Sequence, residues 1–330
     1  MLANRRKVTL KNGAVISTPL LLPSFSSKAL QNESVTEIIE YMSATITDEI
    51  LVSAYDLLFH KLPSKKIKKF ASAVFLDSGG YEGSKDADLS DTGEHQYIPG
   101  QWTQKHLDKA LSEKWDFEIP TVLVTYDSPH SKTTIKNQID RGKKHFLKWP
   151  RAARNILFKT ESVKEPILNI KSIIDHKHEL ANFDVIGVTE KELGKSTLDR
   201  MVNIASIRLA LQSIGLETPI HVFGSLDSIS SPLYFLAGAD IFDGLTWLRY
   251  AYSDGNTIYK HNYGATHLGI SFDDYRVNGK IWSDNYFYLF KVREDMQKFL
   301  LKGDFGEFRY NGALFKKLFT EFEATMASRE

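Results

Sequence analysis

The chain contains no cysteine among its 330 residues. That excludes disulfides, thiolate nucleophiles and any Cys-ligated zinc or iron–sulfur site, and it agrees with a reducing compartment. Net charge is lacking too. Lys and Arg total 42 against 41 Asp and Glu, leaving +1, so no global field draws the protein onto nucleic acid or membrane, and any basic surface is local. Apolar runs such as residues 19–23 are far too short to span a bilayer, and the basic residues 1–7 are not followed by the apolar stretch of a signal peptide. The expectation is a soluble, cytoplasmic protein. No G-x-G-x-x-G follows the first strand, which weakens a dinucleotide-binding reading.

What is present is an ordinary globular composition, 42% hydrophobic and 25% charged, arranged in a regular alternation. Asn12-Gly13 between two short alternating segments signals a hairpin, expected to form an N-terminal lid on the rest of the chain. Leu20-Leu-Leu22 reads as a buried strand, and residues 34–42 as a helix capped by Ser34. Further apolar runs near 44–47, 73–76, 121–125, 166–170, 184–187, 219–222 and 240–242 bring the strand count to eight. Helical stretches at 65–72, 103–113, 131–147, 172–181, 197–214 and 226–236 separate most of them. Eight βα units predict a (β/α)8 TIM barrel, with a doubly wound open sheet as the alternative. Residues 1–330 read as one domain, the barrel over about 18–250 and a helical extension over about 283–326. Two long interruptions, 78–102 and 250–282, lack helical period, and loops of that length in a compact domain are usually functional or disordered.

Asp77, Asp127 and Asp243 share one structural address, the C-terminal ends of predicted strands. In a parallel barrel all three reach the rim where catalytic groups sit. One could be a nucleophile, one a general acid/base and one a substrate-orienting acceptor; the plainer reading of each is a cap on the following loop. In Asp77-Ser-Gly-Gly-Tyr-Glu82, Gly79 and Gly80 let a ligand approach the backbone, and Tyr81 offers a flat ring for stacking. Gly187, at the end of Val185-Ile-Gly187, could admit a planar base against the main chain, or simply mark a bend.

These strings resemble the tRNA-guanine transglycosylase superfamily. The resemblance is carried by Asn12-Gly-Ala-Val-Ile-Ser-Thr-Pro19 through Pro23, Leu76-Asp-Ser-Gly-Gly-Tyr81, Tyr126-Asp127, Ile186-Gly187, Phe223-Gly224 and Gly238-Ala-Asp-Ile-Phe-Asp243 with Arg249. It implies a TIM-barrel pentosyltransferase that exchanges guanine in a polynucleotide for a 7-deazaguanine base. By position, it implies that Asp243 is the nucleophile on the ribose and Asp77 the acid/base residue. It implies Asp127 as the carboxylate on the base's amino edge and Gly187 as a backbone contact to the base. Ser78, Gly79, Gly80, Tyr81 and Gly224 would wall the pocket, and Arg249 would lie near the nucleic-acid backbone. The family's base-binding glutamine has no clear counterpart, Asn169 being the nearest amide.

The departure from the family is its Cys/Cys/Cys/His zinc loop. The corresponding segment offers only His261 and His267 with Asp254, Asp273 or Asp274, and these histidines read as exposed loop residues rather than a metal site. Losing a module that supports RNA docking favours DNA over tRNA as the polynucleotide and points to the DNA-modifying branch, a modification kin to queuosine chemistry. No cofactor is called for, and a homodimer or helper proteins are compatible with this reading. The basic segments Lys65-Lys-Ile-Lys-Lys69 and Arg141-Gly-Lys-Lys144 could touch phosphates, though each also reads as a solvated helix face. Two other classes remain: a catalytically silent nucleic-acid-binding or partner subunit, and an unrelated TIM-barrel hydrolase using the same carboxylates.

Overall fold

Eight short segments, buried at almost every position, form parallel strands that close on themselves. The computed structural model describes residues 1–29, 34–91, 93, 97–128 and 131–329. A hairpin of β1 (Lys7–Thr9) and β2 (Val15–Ser17) comes first, paired Val8 to Ile16 across Asn12-Gly13. The barrel strands are β3 (Leu20–Phe25), β4 (Ile50–Ser53), β5 (Val74–Asp77), β6 (Thr121–Val124), β7 (Ala153–Phe158), β8 (Val185–Thr189), β9 (Ile220–Phe223) and β10 (Ile241–Gly244). β10 pairs with both β9 and β3, Asp243 lying level with Phe223 and Leu22, and this closes the (β/α)8 TIM barrel.

Along each strand alternate residues serve two separate cores. Leu20, Leu22, Phe75, Val122, Val185 and Ile241 pack inside the barrel with Val8, Leu10 and Ile16 of the hairpin. Leu21, Leu76, Leu123, Ile186, Val222 and Phe242 face the surrounding helices. The hairpin therefore plugs the N-terminal end, the opposite end from Asp77 and Asp243, and is no lid over them.

The helices around the barrel are α1 (Val35–Met42), α2 (Ala54–Phe59), α3 (Ser64–Phe70), α4 (Gln104–Glu113), α5 (Ile135–Lys148), α6 (Ile170–Asp175), α7 (Thr197–Gln212) and α8 (Ser230–Leu236). Local chemistry starts several of them: Ser34 with Glu37 and Ser196 with Asp199 form capping boxes, and Thr103 and Thr134 cap α4 and α5. After the last strand come α9 (Thr246–Arg249), a hairpin of β11 (Ala251–Ser253) and β12 (Asn256–Ile258), α10 (Lys260–His267), α11 (Asp274–Lys302) and α12 (Gly312–Ala327).

Two strands differ from the sequence expectation. The second barrel strand is Ile50–Ser53 rather than 44–47, which turns out of α1, and the fifth is Ala153–Phe158 rather than 166–170, which leads into α6. The segment 250–282 is likewise structured. Its hairpin packs on α11, where Asn285 takes the Tyr252 amide at 2.8 Å and donates to the Trp247 and Tyr250 carbonyls.

A buried ionic knot ties the N-terminal rim. Asp240, just before β10, meets Arg6 at 3.0 Å and Arg208 of α7 at 2.5 Å, and Arg6 also reaches Glu217 at 2.8 Å. Arg208 is fully buried and spends its other donors on the Gly238 and Thr218 carbonyls, so the desolvated charges are paired and hydrogen-bonded as burial requires. Among the described residues no helix is long and apolar enough to cross a membrane.

Candidate active site

Because the pleat points every second side chain inward, β5 and β10 deliver Asp77 and Asp243 into the same C-terminal mouth. Both line a cavity of about 460 Å³, together with Asp127 from the loop after β6, a size usual for small-molecule sites. The three carboxylates singled out in the sequence therefore converge.

Asp243 is held from two sides. His221 Nε2 lies 2.9 Å from Oδ1, and the Ser24 hydroxyl donates to Oδ2 at 2.9 Å. The Asn155 amide nitrogen meets the other ring nitrogen of His221 at 3.1 Å. With the amide donating to Nδ1, the ring proton sits on Nε2 and points at the carboxylate, which fixes one face of Asp243 and leaves it acceptor-only. His221 also stacks on Phe223, their ring centroids 3.8 Å apart.

Asp77 accepts the Gly79 amide at 2.9 Å. Burial, and then the charge of Glu82, push its carboxyl up to about 7, where a group can both give and take a proton at neutral pH. Glu82 is itself buried, receiving the Ser26 hydroxyl at 2.6 Å and the Ser53 hydroxyl at 2.7 Å. Asp56, fully buried behind it, is raised well above the usual carboxylate range by burial and by Glu82. Carboxylates crowded into one cleft, with burial opposing their ionisation, make this mouth a functional-site candidate.

The glycine pair is structural necessity. Gly79 sits at φ +82°, and a Cβ there would lie 2.7 Å from Tyr55 Cβ; a Cβ on Gly80 would lie 2.5 Å from the Asp127 carbonyl oxygen. The turn thus presses Asp127 against Gly80, while the Ser78 hydroxyl accepts the Asp127 amide at 3.2 Å. Ser78, Gly80, Tyr81 and Gly224 all line the cavity, whereas Gly79 lies behind it. Tyr81 has its hydroxyl on Asp88 at 2.9 Å and the Lys28 ammonium 4.0 Å over its ring, so one face is already covered.

Three further expectations land elsewhere. Asn169 is exposed, caps α6 by accepting the Ser172 amide, and donates to Glu161; it does not line the cavity. Gly187 is also outside the lining: a Cβ there would meet the Phe223 ring at 2.7 Å, so its missing side chain makes room for Phe223 rather than for a ligand. Arg249 is turned inward. It clamps Asp88 at 2.8 Å and donates to the Lys28 and Ala29 carbonyls, binding the loop that forms one wall of the mouth. The two histidines expected in a loop lie on α10: His261 is exposed with its ring nitrogen 3.7 Å from Asp274, and His267 stacks on Tyr263. Among the described residues no cluster of three His, Asp or Glu could hold a metal ion.

Sequence reasoning missed the residue that takes the place assigned to Asn169. Once β7 is placed at Ala153–Phe158, the first residue beyond it is Lys159, which lines the cavity. Its ammonium lies 2.7 Å from Glu192, 3.1 Å from the Thr189 hydroxyl and 3.8 Å from Asp127. Burial works to lower its pKa, but Asp127 and Glu192 more than offset this and hold it above the ordinary lysine value. Asp127 is raised by burial, with Lys159 and Lys132 opposing. Lys159→Met is expected to destabilise the fold by about 3 kcal/mol, since it strands the buried Glu192 carboxylate. Urea unfolding at neutral pH reads it; an unchanged midpoint would show the pair to be energetically idle.

No protein family matches the chain, and a search of curated proteins finds no match.

Proposed function

We propose that the protein is a base-exchange transglycosylase that replaces guanine in a polynucleotide, DNA rather than tRNA, with a 7-deazaguanine. The observation that carries this reading is the pairing of two differently tuned carboxylates in one cavity: Asp243, locked as an acceptor by His221 and Ser24, and Asp77, raised to about 7. Displacing a purine needs a nucleophile at the sugar and a proton donor at the base, and these two supply both roles.

In the first step an Asp243 oxygen attacks C1′ as the C1′–N9 bond breaks. The bond's electrons leave with guanine, which takes the Asp77 proton. In the second, Asp77 removes the proton from the incoming base's ring nitrogen, that nitrogen attacks C1′, and the Asp243 ester leaves as carboxylate. Two inversions retain the configuration, by the logic of retaining glycosidases. Asp127 faces the amino edge of the base as acceptor, and Lys159 beside it presents donors to the neighbouring carbonyl oxygen. The target base must leave its stack to enter a cavity inside the barrel mouth.

The test offers labelled guanine and 7-cyano-7-deazaguanine with single-stranded DNA, duplex DNA and tRNA side by side. Label should enter a polynucleotide, DNA in preference. Label in none of them, over a range of pH, would end the proposal.

A further inference from the structure

Beside the central cavity runs a second depression of about 380 Å³ along α5, and the two share Asp127, Ser128, Lys132, Leu157, Lys159 and Thr160. The two adjoin along this shared wall. Five cationic side chains line the α5 arm (Lys132, Arg141, Lys144, Lys148 and Lys159), against a single carboxylate, Asp127. In a chain of net charge +1 this is a local excess.

The charge is distributed unevenly around α5 itself. On the face turned away from the groove, Lys136 is neutralised by Asp140 and Glu179, and Lys143 by Glu179. On the groove face, Gln138, Arg141, His145 and Lys148 recur at helical spacing, with Lys144 alongside. Lys148 pairs with Asp108 at 3.1 Å and Lys159 with Glu192. Among the described residues, Lys132, Arg141 and Lys144 have no carboxylate within ion-pairing distance. His145 adds no charge, since burial holds it down at about 4. The cations of α5 that lack a carboxylate partner thus all lie on the side that borders the groove.

We propose that this groove binds the phosphodiester backbone of the polynucleotide whose reacting nucleotide occupies the central cavity, with Arg141, Lys144 and Lys132 on successive phosphates. The proposal deepens the transglycosylase reading and rests on it for the nucleotide's destination, but not for the groove's charge. It also gives the strand a direction of approach, across α5 and over Asp127 to Asp243. Single-stranded or locally opened DNA and RNA share the chemistry.

The test is anisotropy titration of a short, guanine-containing single-stranded DNA, and of RNA of the same sequence, between roughly 50 and 300 mM salt. Three full-length proteins are compared: wild type, Arg141→Ala/Lys144→Ala, and Lys65→Ala/Lys69→Ala, which removes equal charge from α3, a helix that lines neither depression. The groove variant should bind about 10-fold more weakly in one or both arms, and the slope of log K against log salt should fall by about 1.4, two phosphate contacts at about 0.7 each. The α3 variant should match wild type, and free guanine should bind all three alike. Equal nucleic-acid binding by both variants, or none by wild type, overturns the groove. Wild-type exchange with an unchanged KM in the groove variant sinks the groove alone; groove-dependent binding without exchange by any protein sinks the transglycosylase reading alone.

Discussion

Asp243→Asn should abolish base exchange, lowering kcat by at least about 10⁴-fold, the scale on which removal of a covalent nucleophile is felt. The substitution changes little volume, and an asparagine can still accept from His221 and meet Ser24, so the fold should be retained. The sharper readout is the adduct. Wild type, offered polynucleotide without a free base, should accumulate a covalent species that survives denaturation, and Asp243→Asn should form none. An adduct of undiminished yield in the variant would assign the nucleophile to another residue, with Asp77 the first alternative. His221→Phe separates positioning from chemistry. It leaves the carboxylate but frees one of its oxygens, so kcat should fall while KM for polynucleotide stays near wild type.

Asp77→Asn should cost about 10³-fold in kcat, the usual worth of a well-placed general acid, and it should do the opposite to stability. In the folded protein Asp77 titrates at about 7 instead of 3.8, so the folded state holds the proton more tightly than the unfolded chain does. The stability linked to that proton is fully present below about pH 3.8 and is lost as pH rises through about 7. Asparagine carries no such dependence. The variant should match wild type in acid and exceed it by on the order of 4 kcal/mol above pH 8. Wild-type cleavage of the original base, which needs the protonated acid, should decline over the same window. Chemical denaturation at several pH values decides it: a difference that is flat with pH would mean Asp77 is already ionised in the fold.

Much of this was legible in the sequence, and the failures have a common cause. Strands whose inward residues are apolar, such as Val74–Asp77 and Ile241–Gly244, announce themselves by β-branched and aromatic runs ending in an aspartate. Ala153–Phe158 does not, because Arg154 is spent on Asp184 at 2.9 Å and Asn155 is turned into the barrel to hold His221. Two polar residues at the start of the strand break the pattern on which recognition depends. The apolar Ile167, Leu168 and Ile170 then offered a false substitute, which favoured Asn169 and hid Lys159. Ile50–Ser53 was obscured differently: it runs without a loop into α2, Ser53 serving as the cap. The three aspartates were visible because a carboxylate at a strand's C-terminal tip is a positional signal. Their supports, Ser24, His221, Glu82 and Lys159, came from four different segments, and only closure of the barrel brings them together.

The knot at Asp240 bears on how the polypeptide is made. Arg6 and its partner Asp240 are separated by 234 positions, and β3 finds its second neighbour only when β10 arrives. Until a ribosome has released residue 244, the nascent chain carries an unpaired sheet edge and, in Arg6 and Arg208, two guanidinium groups lacking the carboxylate they are built around. Contacts so distant along the sequence close slowly, and exposed edges of this kind aggregate. Production in cells should therefore respond more to slowed synthesis or added chaperone capacity than to changes at the C-terminal mouth of the barrel.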